Sequence, residues 1–212
     1  MKTDGRATYS AKSFDHLKGL TGISDGQIAE HLDLYAGYVK QVNSLAQELS
    51  EMRVDRKEAG KDFGLAEGTR RFAYEYDGMV LHELYFSSLK PGGDSRPSDR
   101  QGLGRALAET FGSVERWQDH FQAIAGMRGI GWVILFEDPA SHRLTNQWVS
   151  LHQDGIPARW NPLLVLDVWE HAFMRDYKAT ERAKYIEAFF KNVDWSVVEQ
   201  RLREPAAVKS AA

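Results

Sequence analysis

The sequence predicts an α+β protein, in which a long N-terminal helical hairpin precedes a C-terminal α/β domain with a three-stranded antiparallel sheet. Apolar residues recur at helical spacing over residues 24–59 and again over 63–89. A stretch rich in proline, glycine and serine then separates this half from the rest of the chain. Beyond it come short runs of β-branched and aromatic residues bounded by turn residues, which is typical of strands.

The first predicted helix, residues 24–59, has two candidate caps, because Ser24 and Asp25 can each accept a hydrogen bond from its first turn. Glycine at position 60 marks the break before the second helix, residues 63–89. The composition of the following stretch indicates a linker. The sequence therefore predicts an N-terminal helical hairpin domain over residues 1–90, a linker over 91–102 and a C-terminal α/β domain over 103–212.

The C-terminal half is predicted to mix helices and strands. An Asp-Pro turn is expected to join the first two strands. The last nine residues, 204–212, are expected to be a frayed tail. Helices are predicted at 103–112, 113–127, 170–178 and 180–191, and strands at 132–136, 144–151 and 161–167.

Composition excludes several kinds of site and partner. Hydrophobic residues make up 42% of the 212 residues and charged residues 27%, as in ordinary globular proteins. The net charge of −3 gives no broad basic field for nucleic acid. The chain has no cysteine, so disulfides, thiolate metal sites and cysteine nucleophiles are excluded. We expect no membrane span and, because residues 1–17 lack a secretory signal pattern, a cytoplasmic location.

Three histidines, His31, His82 and His171, lie among apolar neighbours in predicted helices or at a helix start. A lone histidine there is usually a satisfied core residue, but Asp167 at the end of an apolar strand also needs partners. Asp167 and His171 are four residues apart and face one point if a helix begins near Asp167. Three imidazoles and one carboxylate suit a first-row transition metal, and ligand type alone does not separate zinc from iron or manganese.

Three segments carry a resemblance to a known family. "DVWEHAF", residues 167–173, follows "NPLLVL" and is similar to the D-x-W-E-H-A-Y signature of the iron/manganese superoxide dismutases. "FGSVERWQDHFQAIAGMRGIGWVIL" and "YIEAFFKNVDW" also resemble segments of that family. The resemblance covers roughly residues 14–195, and it implies the same order of a helical half followed by an α/β half.

The resemblance implies a ligand set for one manganese or iron ion per chain. Trp132 and Trp169 would wall the pocket, and Gln153 would be the outer-sphere glutamine. Gly78 occupies the place where iron members of the family put that glutamine, so the pattern favours manganese, although affinity does not sort these metals. The implied ligands are His31, His82, Asp167 and His171.

The implied activity is the disproportionation of superoxide to dioxygen and hydrogen peroxide, with superoxide as the small-molecule substrate. The redox chemistry belongs to the metal, and the protein supplies ligands, tuning and control of water. Glu170 would bond the partner's His171 across a two-fold interface, which implies a homodimer. Whether dimers pair into tetramers is left open.

The chain departs from the family at its substrate gateway, where the family has H-x-x-x-H-x-x-x-Y. Tyr35 replaces the second histidine, and Tyr38 comes seven rather than eight residues after His31. A missing π-bulge would explain that offset and give Tyr38 the tyrosine's role; otherwise Val39 occupies the place. Phe173 replaces the last tyrosine of the signature. We therefore predict Tyr38, Tyr35 and Gln153 as catalytic residues, with an altered gateway.

Two alternatives to an active dismutase stay open at this point. One is a metal-binding relative with weak or no dismutase activity because of the altered gateway. The other is a different redox enzyme on the same scaffold, acting on peroxide or dioxygen. The complete ligand set and Gln153 favour the dismutase.

Overall fold

A helical hairpin and a three-stranded sheet make up the framework of the protein, as the sequence predicts. The computed structural model describes residues 8–52, 61–98 and 102–203. Within these ranges the helices are α1 (Asp25–Glu51), α2 (Phe63–Ser87), α3 (Gly102–Phe111), α4 (Val114–Ala125), α5 (Arg182–Phe190) and α6 (Trp195–Arg203), and the strands are β1 (Trp132–Glu137), β2 (Leu144–Val149) and β3 (Asn161–Asp167).

The hairpin helices begin at side-chain caps. The Ser24 hydroxyl accepts a hydrogen bond from the Gln27 amide, so Ser24 rather than Asp25 caps α1. The carboxylate of Asp62 caps α2 in the same way. α1 is a regular α-helix over its whole length. Its predicted extension to residue 59 falls on residues 53–60, which lie outside the described ranges, as does the predicted tail at 204–212.

The sheet brings two of the predicted site residues to the same end. Its strand order is β2-β1-β3, and both pairings are antiparallel. β1 is buried along its whole length, and its first residue, Trp132, pairs with Asp167. Asp167 therefore leaves the sheet beside Trp132, at the end that α2 packs against. No helix within the described ranges combines the length and apolar character needed to cross a bilayer. The cytoplasmic location and the domain boundary at 91–102 stay predictions.

The prediction of a helix over residues 170–178 is wrong. Only Glu170–Ala172 forms a short 3-10 helix, and turns follow it. The cause is Gln27 of α1, whose side-chain amide donates to the carbonyl of His171 at 2.6 Å and accepts from the Arg175 amide at 3.1 Å. A continued α-helix would join that carbonyl and that amide to each other. The turn is thus held against α1, and α6 is a further helix that was not predicted.

Arg201 ties α6 to the hairpin and to the sheet. Its guanidinium donates to four oxygens and has no carboxylate partner among them, and burial lowers the pKa of Arg201 to about 10. A planar fork can reach all four acceptors at once. The acceptors are the Ser88 hydroxyl at 2.9 Å, the Leu163 carbonyl at 2.7 Å, the Leu84 carbonyl at 3.0 Å and the Ser87 hydroxyl at 2.7 Å.

Replacing Arg201 by lysine is expected to lower the free energy of unfolding by about 2 kcal/mol, because an ammonium cannot bond all four acceptors and leaves buried ones unpaired. Urea unfolding followed by circular dichroism measures the change. Arg203→Lys is the matched control, because Arg203 lies on the same helix with its side chain 70% exposed. Equal unfolding free energies for the two variants would contradict this role of Arg201.

Candidate metal centre

Four side chains from four separate elements converge on one point. His31 lies on α1, His82 on α2, Asp167 at the end of β3 and His171 in the 3-10 turn. One carboxylate oxygen of Asp167 lies 3.1 Å from Nε2 of His31, 3.1 Å from Nε2 of His171 and 3.7 Å from Nε2 of His82. The four potential donor atoms all lie within 4.8 Å of one another. The structure thus brings together the residues that the sequence predicts as ligands.

Hydrogen bonds outside the group fix the orientation of its members. Nδ1 of His82 donates to the carbonyl of Gly78 at 2.6 Å, which turns Nε2 toward Asp167. The other carboxylate oxygen of Asp167 accepts from the backbone amide of Trp169 at 2.8 Å. The hydroxyl of Tyr185 donates to the Asp167 carbonyl at 2.9 Å. Side chain and backbone of Asp167 are therefore both held by hydrogen bonds from within the chain.

The charges of the group suit metal binding. Burial lowers the pKa of both His31 and His82, so the two imidazoles are neutral and keep a lone pair for a metal ion. Burial alone would raise the pKa of Asp167, but His171 and His31 hold it well below its usual range. The group therefore presents one buried carboxylate among histidines at neutral pH.

The residues fit a manganese or iron ion. Nε2 of His82 is buried without a hydrogen-bond partner among the described residues, although it faces the carboxylate of Asp167 at 3.7 Å. Leaving such an atom unpaired costs about 1–3 kcal/mol, and coordination would remove that cost. Imidazole nitrogens with a carboxylate oxygen are ligands suited to both metals.

A hydrogen-bonded chain runs beside the group from Trp132 through His152 to Tyr38. The indole N–H of Trp132 donates to Nδ1 of His152 at 3.0 Å, since an indole can only donate. Burial lowers the pKa of His152 to about 4, so its ring is neutral and its single proton lies on Nε2. Nε2–H then donates to the oxygen of Tyr38 at 2.7 Å. The hydroxyl proton of Tyr38 is therefore not used in this bond with His152.

The structure brings His152, and not Gln153, to Tyr38 and Trp132. The side-chain oxygen of Gln153 is buried without a hydrogen-bond partner among the described residues. His152 was not among the predicted site residues, although "LHQ" offers two adjacent polar candidates. Leu151 has a φ of 52°, and this left-handed turn decides which of the two next side chains points inward. Residue types alone do not reveal such a turn at a leucine.

Tyr38 and Tyr35 take different positions. The ring of Tyr38 lies 5.1 Å from that of His82, so the seven-residue spacing on an unbulged α1 is sufficient to bring it to the group. The hydroxyl of Tyr35 instead donates to Glu83 at 2.9 Å and accepts from the Lys12 amide at 3.0 Å. The structure does not bring that hydroxyl to the four-residue group, which argues against a catalytic role for Tyr35.

Aromatic rings surround the group. The ring of Trp132 lies 5.0 Å from that of His82, and Trp169 stacks 5.8 Å from His171, so both lie where the pocket wall is predicted. Phe173 is buried and stacks on Tyr185 at 5.3 Å. The ring of Phe173 therefore packs in the core of its own chain.

Comparison with known proteins agrees with this geometry. Residues 99–201 match the family model described as iron/manganese superoxide dismutases, C-terminal domain. The chain is 37% identical over 195 residues to a protein named superoxide dismutase [Fe] from Aquifex pyrophilus, with 90% of each chain covered. It is 37% identical over 187 residues to superoxide dismutase [Mn] 2 from Haloferax volcanii, covering 87% of this chain and 86% of that one. It is 38% identical over 179 residues to superoxide dismutase [Fe] from Cupriavidus metallidurans, covering 83% and 86%.

Proposed function

The chain belongs to the iron/manganese superoxide dismutase family, and from that premise we propose that it disproportionates superoxide to dioxygen and hydrogen peroxide. The observation that carries the proposal is the convergence of three imidazoles on one buried carboxylate. We propose His31, His82, Asp167 and His171 as the ligands of one manganese or iron ion.

A bound manganese or iron ion would supply the one-electron oxidation and reduction that the reaction requires. The chain's own residues position the groups around it. The neutral imidazoles of His31 and His82 offer lone pairs, and the carboxylate of Asp167 offsets the charge of the ion. The buried rings of Trp132 and His152 limit the access of water from their side.

We propose that His152 fills the outer-sphere position predicted for Gln153. Its contacts with Tyr38 and Trp132 support this, since outer-sphere partners orient and tune a metal site. Burial, reinforced by Tyr74, raises the pKa of Tyr38 well above its usual range, so the phenol keeps its proton. Peroxide formation consumes protons, and the hydroxyl proton of Tyr38, which the bond with His152 does not use, would be available for donation to the product.

Elemental analysis combined with a superoxide-consumption assay tests the function. Purified protein is expected to contain manganese or iron and to consume superoxide faster than the spontaneous reaction. The His171→Ala variant is expected to lose both metal and activity. Metal-loaded protein without activity would favour the alternative of a metal-binding relative with an altered gateway, and protein that binds neither metal would overturn the proposal.

We propose a homodimer formed by the surface around Glu170, which is exposed beside the partly exposed His171. Three apolar side chains near this turn are also exposed: Met127 by 47%, Ile130 by 38% and Met174 by 47%. Arg182 links the two segments, because it donates to the Met127 carbonyl and lies over the ring of Phe173. An exposed apolar patch of this kind is typical of an interaction surface.

Replacing Glu170 by alanine is expected to weaken the dimer at least about tenfold, because a two-fold axis removes two carboxylate contacts to the partner's His171 at once. Sedimentation equilibrium over a range of concentrations measures the dissociation constant. Asp119→Ala, which removes an exposed acid on α4, is the matched control. A dissociation constant unchanged by Glu170→Ala, or a monomeric wild type, would refute this interface.

A further inference from the structure

Two side chains of α2 lie on the solvent side of the Tyr38–His152 pair. The ring of Tyr74 lies 4.4 Å from that of His152 and 6.2 Å from that of Tyr38. The guanidinium of Arg71 lies over the ring of Tyr74, 4.6 Å from its centroid. His152 is fully buried, Tyr74 is partly exposed and the side chain of Arg71 is 54% exposed. These side chains therefore form a continuous series from solvent to the site.

Arg71 is anchored at its inner end and open at its outer end. Its Nε donates to Glu75 at 2.6 Å, and the Glu75 side chain is only 5% exposed. The two terminal amino groups of the guanidinium have no hydrogen-bond partner among the described residues. A fork held in this way is preorganised, so little side-chain entropy is lost when it meets an anion. An anion from solvent reaches these N–H groups before it reaches the carboxylate beneath them.

The positive charge of Arg71 acts on His152. Burial is the main cause of the lowered pKa of His152, and the charge of Arg71 lowers it further. The protein as a whole carries a net charge of −3, which repels a small anion at long range. The guanidinium of Arg71 places a positive charge on the solvent side of its pair with Glu75, where it favours the arrival of an anion.

We propose that Arg71 and Tyr74 form the entrance by which an anionic substrate reaches Tyr38 and His152, with Arg71 as the cation that attracts it. The inference rests on the proposed function in one respect, namely that the substrate is a small anion. Arg71 supplies the charge, and the ring of Tyr74 holds the guanidinium above the buried histidine.

Azide, a small monoanion, is a suitable probe on the iron-loaded protein, where absorbance follows its binding. Arg71→Gln is expected to weaken azide binding about two- to threefold at low ionic strength and to remove most of its salt dependence. Arg71→Lys keeps the charge and should keep most of both. Arg70→Gln is the matched control, since Arg70 is the neighbouring residue, is 74% exposed and also pairs with a glutamate of α2. Metal content and unfolding midpoints of all three variants verify their folding.

Two results would overturn the proposal that Arg71 and Tyr74 form the entrance. One is identical azide affinity and salt dependence in Arg71→Gln and Arg70→Gln. The other is an equal loss in Arg71→Gln and Arg71→Lys, because the charge would then have no role. Superoxide consumption by the wild type is a separate test of the proposed function. If azide binding depends on Arg71 but the wild type does not consume superoxide, the proposed function is refuted and the proposed entrance is still supported.

Discussion

Purified Asp167→Asn protein is expected to contain almost no manganese or iron and to lose its superoxide-consuming activity. One carboxylate oxygen of Asp167 accepts from the Trp169 amide, so the side-chain oxygen of asparagine will keep that position. The new amino group will then face Nε2 of His31 and His171, where each now lies 3.1 Å from an acceptor. A donor thus replaces an anionic ligand at the point where the imidazoles meet.

The expected loss of metal affinity exceeds about 100-fold, since outer-sphere changes alone cost about 10–100-fold. Elemental analysis and a superoxide assay measure it, and circular dichroism verifies the fold. Glu137→Gln is the matched control: it makes the same acid-to-amide change on a buried carboxylate of β1, where the partner is His142 at 2.9 Å. The proposed ligand set is wrong if Asp167→Asn protein retains one metal ion per chain.

The helical hairpin and the sheet are predictable from the sequence, because each of these elements depends on a local pattern of residues. The periodicity of α1 and α2 places His31 and His82 on buried faces. The apolar run of β3 ends at Asp167, so the residue pattern alone predicts a carboxylate at the end of a buried strand. A local pattern is sufficient for prediction wherever residues that are close in sequence decide the conformation.

The features of the fold and the site that the sequence does not predict depend on contacts between distant segments. Gln27 bonds the carbonyl of His171, 144 residues further along the chain, and so prevents a helix after Glu170. No feature of the predicted helix itself reveals this contact. The choice between His152 and Gln153 depends on a left-handed leucine, which residue type does not predict. The family resemblance implies a gateway position for Tyr35, but Glu83 and Lys12 hold its hydroxyl elsewhere.

Gly78 leaves room beside α2 for the rings of Tyr38 and His152. A Cβ at this position would lie 2.8 Å from two ring carbons of Tyr38 and 3.2 Å from Cδ2 of His152. The 2.7 Å bond between the two rings and the bond from Trp132 to His152 hold them in this place. The space beside α2 is thus already filled by Tyr38 and His152, and no side chain at position 78 can take the place of His152.

Replacing Gly78 by alanine is therefore expected to displace Tyr38, to reduce activity about 10- to 100-fold and to leave the metal content unchanged. The Gly78 carbonyl that orients His82 stays in place, so the ligand set is preserved. Alanine gains about 1 kcal/mol in helix propensity, and overpacking costs about 1–3 kcal/mol, so we expect a small net loss of stability.

Gly37→Ala is the matched control, because a Cβ at Gly37 on α1 meets no atom within 4 Å. That variant should gain about 0.5–1 kcal/mol in unfolding free energy and keep full activity. The comparison separates helix propensity from the displacement of Tyr38. Steady-state kinetics, metal analysis and urea unfolding of both variants supply the test. If Gly78→Ala retains full activity, the position of the Tyr38 ring against His152 is not required for turnover, and the Trp132–His152–Tyr38 chain has no part in proton donation.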